Sequence, residues 1–80
     1  MPDTIRLYGA KTCEDTVRAR ALLVAHNVPY QWIDVDEDPE GLALIKSVNN
    51  GKRTTPTIFF PDGAILFEPT DAQLAKNLGL

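Results

Sequence analysis

Apolar positions along the chain change period several times, and each change marks an element. Thr4 to Tyr8 ("TIRLY") alternates, with Ile5 and Leu7 on one side, and stops at Gly9, which predicts a first strand. From Cys13 to about Asn27 the apolar residues Val17, Ala21, Val24 and Val28 recur at helical spacing, with Leu22 and Ala25 beside them. Arg18 and Arg20 fall elsewhere on the wheel, so this stripe is the expected inward face of a first helix. Thr12 followed by Asp15 resembles a capping box, which would place Cys13 in the first helical turn.

Asn27 to Pro29 is a turn, and Tyr30 to Val35 reads as a second strand. Asp38 and Pro39 suit the N-cap and first position of a second helix, with Leu42, Ile45 and Val48 inward and a stop at Asn49 to Gly51. Thr57 to Phe60 is a buried strand, Pro61-Asp62-Gly63 a turn, and Ala64 to Phe67 the hairpin partner. Pro69, Thr70 and Gln73 open a last helix carrying Ala72, Leu74, Ala75 and Leu78 and ending at Gly79. The order is βαβαββα. An α/β domain follows, with a four-stranded mixed sheet whose first two strands are parallel through a right-handed crossover.

Composition narrows what such a domain does. With 80 residues, 44% of them hydrophobic and 24% charged, the chain is expected to fold as one domain over 1–80. Eight basic against eleven acidic residues give a net charge of -3 and no basic stripe, which argues against nucleic acid. One cysteine and one histidine, His26, leave neither a disulfide framework nor a metal site. No charged leader followed by a long apolar run opens the sequence and no segment approaches ~18 apolar residues, so a cytoplasmic protein without membrane attachment is expected.

Chemistry concentrates at Cys13. A cysteine that follows a first strand and opens a helix lies outside the carboxyl end of a sheet, where helix N-termini converge. Unpaired backbone N–H groups there favour a thiolate, and Lys11 and Arg18 are candidates to add positive charge. Glu14 and Asp15 act in the opposite sense, so sequence leaves the net direction open. Trp32, Phe59 and Phe60 read as sheet core, His26 as a helix-end residue, and "DVDEDPE" as a solvated loop leading into a capped helix.

Cys13 together with "NGKRTTPT", Asn50 to Thr57, resembles the glutaredoxin family of the thioredoxin superfamily, especially its short bacterial and mycoredoxin-type members, over nearly the whole chain. The resemblance implies a thioredoxin fold, a catalytic Cys13, and a cis Thr55–Pro56 peptide whose exposed backbone pairs with a thiol peptide. It implies that Lys11, Arg53, Thr55, Pro56, Thr70 and Asp71 bind that peptide, Arg53 at a carboxylate and Thr70 and Asp71 at its γ-glutamyl end. Glutathione or mycothiol would be a co-substrate with no bound cofactor, mixed-disulfide proteins the partners, and a monomer the working form.

Three departures set this chain apart within that pattern. The second cysteine of Cys-x-x-Cys is Thr16, the expected lysine three residues before the cysteine is Ala10 with Lys11 one place later, and the Gly-Gly pair before the last helix is Glu68-Pro69. The expected activity is therefore monothiol exchange. The alternatives are a weakly catalytic binding module for a thiol peptide or partner, and an iron–sulfur carrier, against which the missing Gly-Phe-Ser and the acids beside Cys13 both speak.

Overall fold

The computed structural model describes residues 4–80, so the first three residues of the expected domain lie outside the description. The elements are β1 (Ile5–Gly9), α1 (Glu14–Ala25), β2 (Tyr30–Asp34), α2 (Pro39–Ser47), β3 (Thr57–Phe59), β4 (Ile65–Phe67) and α3 (Asp71–Leu78). The sheet runs β2-β1-β3-β4. β1 and β2 are parallel, and β3 is antiparallel to both β1 and β4. The alternating reading of the chain therefore describes the architecture, with strand ends displaced by a residue.

Strand alternation splits the core in two. Ile5, Leu7 and Ile58 face α1 and α3 and pack with Ala19, Leu23 and Leu74. Tyr8 and Phe59 face the other way and pack with Val35 and Ile45, which seats α2. Their rings meet edge-on at 5.2 Å, and the exposed Arg6 lies over Phe59 while donating a hydrogen bond to the Tyr8 hydroxyl at 3.0 Å. Trp32 and Phe60 pack half-buried against the first cluster, and Arg20 stacks on Trp32 at 4.0 Å. These aromatics are core, as their spacing implies.

The inward face of α1 is not the one its apolar stripe predicts. Thr16, Ala19 and Leu23 are buried, whereas Val17 and Val24 are 54% and 64% exposed. Ala21 and Ala25 also face out, and of the predicted set only Leu22 and Val28 touch the core. The short loop from β1 holds this face inward: the Cys13 N–H closes a turn on Ala10, and Thr16 packs against Gly9 with its hydroxyl accepting from the Ala10 N–H. Val17, Ala21, Val24 and Ala25 instead line a shallow outer groove of about 430 Å³ with Arg20 and Tyr30.

The start of α1 also differs. Cys13, with φ -84° and ψ 119°, is the N-cap residue, and Thr12 lies outside the helix. Asp15 does not cap, since it pairs with Arg18 at 3.0 Å. The helix ends at Ala25 with His26 as C-cap, and Asn27 turns the chain at φ 55°. The other two helices begin as their sequences specify. Asp38 accepts from the Gly41 N–H ahead of Pro39, and Thr70 and Gln73 form a reciprocal capping box. Leu42 and Val48 are half-buried around the fully buried Ile45. Ala72 is exposed, and α3 is held mainly by Leu74.

Candidate active site

Register brings four loops to one end of the sheet. The last residue of β1, Gly9, pairs with the end of β2 at Asp34, while Tyr8 lies opposite Thr57 at the start of β3, and Thr57 in turn opposite Phe67 at the end of β4. The chain that leaves β1 toward Cys13 therefore emerges beside the chain entering β3 through Thr55 and Pro56. The segments after β2 and β4 emerge there too.

Cys13 is half-exposed at that end. Its N–H closes a turn on the Ala10 carbonyl at 3.1 Å, and its own carbonyl accepts the first helical bond from Val17 at 3.0 Å. As a thiol, Sγ donates to the Thr55 carbonyl at 3.5 Å. The Thr55–Pro56 peptide is cis, both residues are buried, and the Pro56 carbonyl accepts from the Glu68 N–H at 2.8 Å. Cys13 and the Thr55–Pro56 loop, 42 residues apart in sequence, are thus direct neighbours.

The structure resolves the sign that sequence leaves open. Burial pushes the Cys13 thiol up, but hydrogen bonds outweigh it and lower the thiol below its ordinary value. They come from the hydroxyls of Thr55 and Thr16 and the backbone N–H groups of Thr16 and Asp15. The two backbone donors are the unpaired groups of the first helical turn, which a serine or aspartate at an N-cap ordinarily satisfies. The Cys13 side chain makes no cap hydrogen bond as a thiol, and these N–H groups favour its charged form.

Neither expected cation serves the thiolate directly. Lys11 reaches Glu37 at 3.3 Å and Asp34 at 3.9 Å. Arg18 bridges Asp15 at 3.0 Å and Asp71 at 3.2 Å. Arg53 pairs with Asp36 at 2.6 Å. The "DVDEDPE" loop is thus a source of counter-ions as well as a capped helix start. Sequence reasoning missed Asp36, Glu37 and the Arg18 bridge. The density of acids in that loop was a signal, but the partners of Asp36 and Glu37 lie 17 and 26 residues away. Thr70 caps α3, and Asp71 lies beside it at the helix start.

Glu68 occupies the left-handed region at φ 49°, a conformation that glycine adopts more readily. Its N–H is tied to Pro56, so the strained residue is held by the loop that faces the thiol. Pro69, the other half of the Gly-Gly replacement, is buried.

Gly9 is where the fold is least forgiving near the site. A Cβ there would lie 2.5 Å from Thr16 Cγ2 and 2.7 Å from its Oγ1. Gly9→Ala should therefore destabilise by about 1–3 kcal/mol, the usual cost of overpacking, as read by denaturant unfolding. Retention of the wild-type midpoint would contradict the tight approach of β1 to α1.

A single thiol at a helix N-terminus, beside a cis-proline loop and at the carboxyl end of a β2-β1-β3-β4 sheet, defines a thioredoxin-fold protein built for sulfur chemistry. The glutaredoxin profile matches residues 5–65, and the chain belongs to the glutaredoxin family, a family of thiol–disulfide oxidoreductases. Mycoredoxin 1 of Corynebacterium glutamicum is 42% identical over 49 residues, spanning 61% of this chain and 62% of that one. Among solved structures, the glutaredoxin of Methanosarcina mazei Go1 superposes with a TM-score of 0.78 at 21% identity, covering 96% of this chain and 79% of that one. A glutaredoxin from Archaeoglobus fulgidus gives 0.78 at 20% identity, covering 95% and 86%. At these identities the structures speak to the fold alone.

Proposed function

We propose that this protein is a monothiol thiol–disulfide oxidoreductase that reduces mixed disulfides between proteins and a low-molecular-weight thiol, glutathione or mycothiol, and so serves cellular redox homeostasis. The observation that carries this reading is Cys13 itself: a lone cysteine with a favoured thiolate, 3.5 Å from the Thr55 carbonyl, with Thr16 where a resolving cysteine would be. The Cys13 thiolate attacks the small thiol's sulfur in the mixed disulfide, and the protein thiolate leaves and takes a proton from water. A second small thiol then attacks the Cys13-bound sulfur and regenerates the thiolate. No cofactor enters, and electrons pass from the small thiol to the protein.

In this reading Thr55 and Pro56 offer the backbone that pairs with the bound thiol. Lys11, Arg53, Thr70 and Asp71 contact its remaining groups. A monomer suffices, and an unpaired thiol of this kind suits the reducing cytoplasm. No helix among the described residues is long and apolar enough to cross a membrane. The test is a panel of three substrates: a glutathione mixed disulfide, a mycothiol mixed disulfide and a protein disulfide. Turnover is expected on at least one of the mixed disulfides and none on the protein disulfide. Equal turnover of the protein disulfide would rule out the monothiol route.

One observation favours a second reading, that of a thiol-peptide or partner-binding module. Lys11, Arg18 and Arg53 are each already engaged by carboxylates, which weakens their hold on a charged substrate. Inactivity on the whole panel, with retained binding of the small thiol, would select that reading.

A further inference from the structure

The outer face of α1 carries apolar side chains that the fold leaves uncovered. Val17 and Val24 are more than half exposed, Ala21 and Ala25 are exposed with them, and together they line the groove shared with Arg20 and Tyr30. Their spacing of i, i+4, i+7 and i+8 is the stripe that one helix offers another, and the small Ala21 at its centre lets a second backbone come close. An uncovered stripe of this kind marks an interaction surface.

Arg20 indicates what the partner carries. Its Nε donates to the Tyr30 hydroxyl at 3.0 Å and its guanidinium stacks on Trp32, 4.0 Å from the ring centre, so the side chain is held in place before anything binds. Among the described residues no carboxylate pairs with it, whereas Lys11, Arg18 and Arg53 are each matched by one. Its terminal amino groups therefore remain as donors, and the Tyr30 hydroxyl, which accepts from Nε, keeps its own proton to give. The groove is apolar along α1 and short of an acceptor at Arg20.

We propose that this face docks an amphipathic helix of a protein partner, with apolar side chains seated on Val17, Ala21 and Val24 and a carboxylate on Arg20. A carboxylate and a guanidinium form a charge-assisted, bidentate pair, and little side-chain freedom is lost because Arg20 is already ordered. A second copy of this chain is a poor occupant. The only acids of α1, Glu14 and Asp15, lie in its first turn, and Asp15 is held by Arg18. Pairing of two such faces about Ala21 would bring two Arg20 side chains together, a like-charge contact that opposes it. The groove begins at Val17, whose N–H bonds to the Cys13 carbonyl at 3.0 Å, so a docked helix starts one turn from the thiol. Neither Thr55 nor Pro56 lines the groove, which leaves their loop to a thiol ligand. The inference stands whether or not Cys13 exchanges disulfides.

The probe is a synthetic helical peptide with leucines at i, i+4 and i+7 and a glutamate at i+3, set beside an identical peptide with glutamine in place of glutamate. Trp32 is the sole tryptophan and lies under Arg20, so its fluorescence reports engagement of that guanidinium, while backbone amide shifts locate the peptide. The glutamate peptide should bind saturably with a Kd of about 10 µM to 1 mM and shift the amides of α1. The glutamine peptide should bind on the order of tenfold more weakly, and Arg20→Gln should bind both peptides alike. Val24→Glu leaves the core untouched and sets a carboxylate one turn from Arg20, so it should abolish binding. If Arg20→Gln fails to fold, the peptide pair on wild type and the Val24→Glu variant still decide. The absence of saturable binding by the glutamate peptide up to about 1 mM would overturn the proposal. Equal affinity of wild type for the two peptides, or amide shifts confined to the surroundings of Cys13 and Thr55, would do the same. Sedimentation that shows a dimer dissolved by Val24→Glu would give the face to a second copy and also overturn it.

Discussion

Cys13→Ser should abolish turnover of mixed disulfides, with a loss of at least about a thousandfold, because a serine hydroxyl is not ionised near neutral pH and no second cysteine exists to replace the sulfur. Residual turnover within tenfold of wild type would place the chemistry elsewhere. The same variant carries a stability prediction of defined sign. The folded state lowers the Cys13 thiol below its ordinary value, so the folded protein binds its proton less tightly than the unfolded chain does. The resulting stability is fully present above the unfolded thiol's range and is lost as pH falls through the lower folded value. Serine, in contrast, can cap α1 at any pH. The difference in melting temperature, wild type minus Cys13→Ser, should therefore rise with pH across that window. A flat or falling difference would mean that the helix start does not hold the thiolate.

The second large effect concerns the face on which α1 packs. Leu23 has 0% exposure and lies between the sheet and α3, so Leu23→Ala should cost about 2–5 kcal/mol. For a domain whose total stability is of order 5–15 kcal/mol, that loss brings it close to unfolding at ambient temperature. Val24, the next residue, is 64% exposed, and Val24→Ala should stay within about 0.5 kcal/mol. Denaturant titration of the two variants distinguishes the faces directly. A reversed order would restore the stripe of Val17, Ala21 and Val24 as the inward one.

That contrast also marks how far the sequence could be read. The order of elements, the parallel β1–β2 pair, the caps at Asp38 and Thr70 and the turn at Gly63 all follow from local chemistry, and local chemistry decided them. The facing of α1 did not follow, because it is set by the packing of Ala19 and Leu23 with β1, β3 and α3, and two apolar faces compete on one helix. Helical spacing favours Val17, Ala21 and Val24, while tertiary packing chose Ala19 and Leu23 and drew in Thr16, a polar residue no apolar count would select.

At the site, Cys13 and the loop around Pro56 were legible from their pattern. The start of α1 was displaced because Thr12 offers a good capping side chain, yet the tight turn from Ala10 to Cys13 closes one residue later. Arg18 was legible as a cation but not as the bridge between Asp15 and Asp71, since that partner lies 53 residues away on another helix. Ion pairs of this range depend on how loops converge, which hydrophobic periodicity does not encode.

The pairing of Lys11, Arg18 and Arg53 with neighbouring acids has a consequence for how substrates arrive. Charged clefts usually draw in ions of opposite sign, and dissolved salt slows such encounters by screening the attraction. Here each cation is matched by a carboxylate on a chain of net charge -3, so an anionic disulfide meets mild repulsion at long range. Added salt screens that repulsion and loosens the exposed pairs. Its second-order rate with an anionic disulfide should accordingly hold steady or increase from low to physiological ionic strength, and a neutral disulfide should be indifferent. The approach to Cys13 is governed less by attraction from afar than by what the short contact at Thr55 and Pro56 retains.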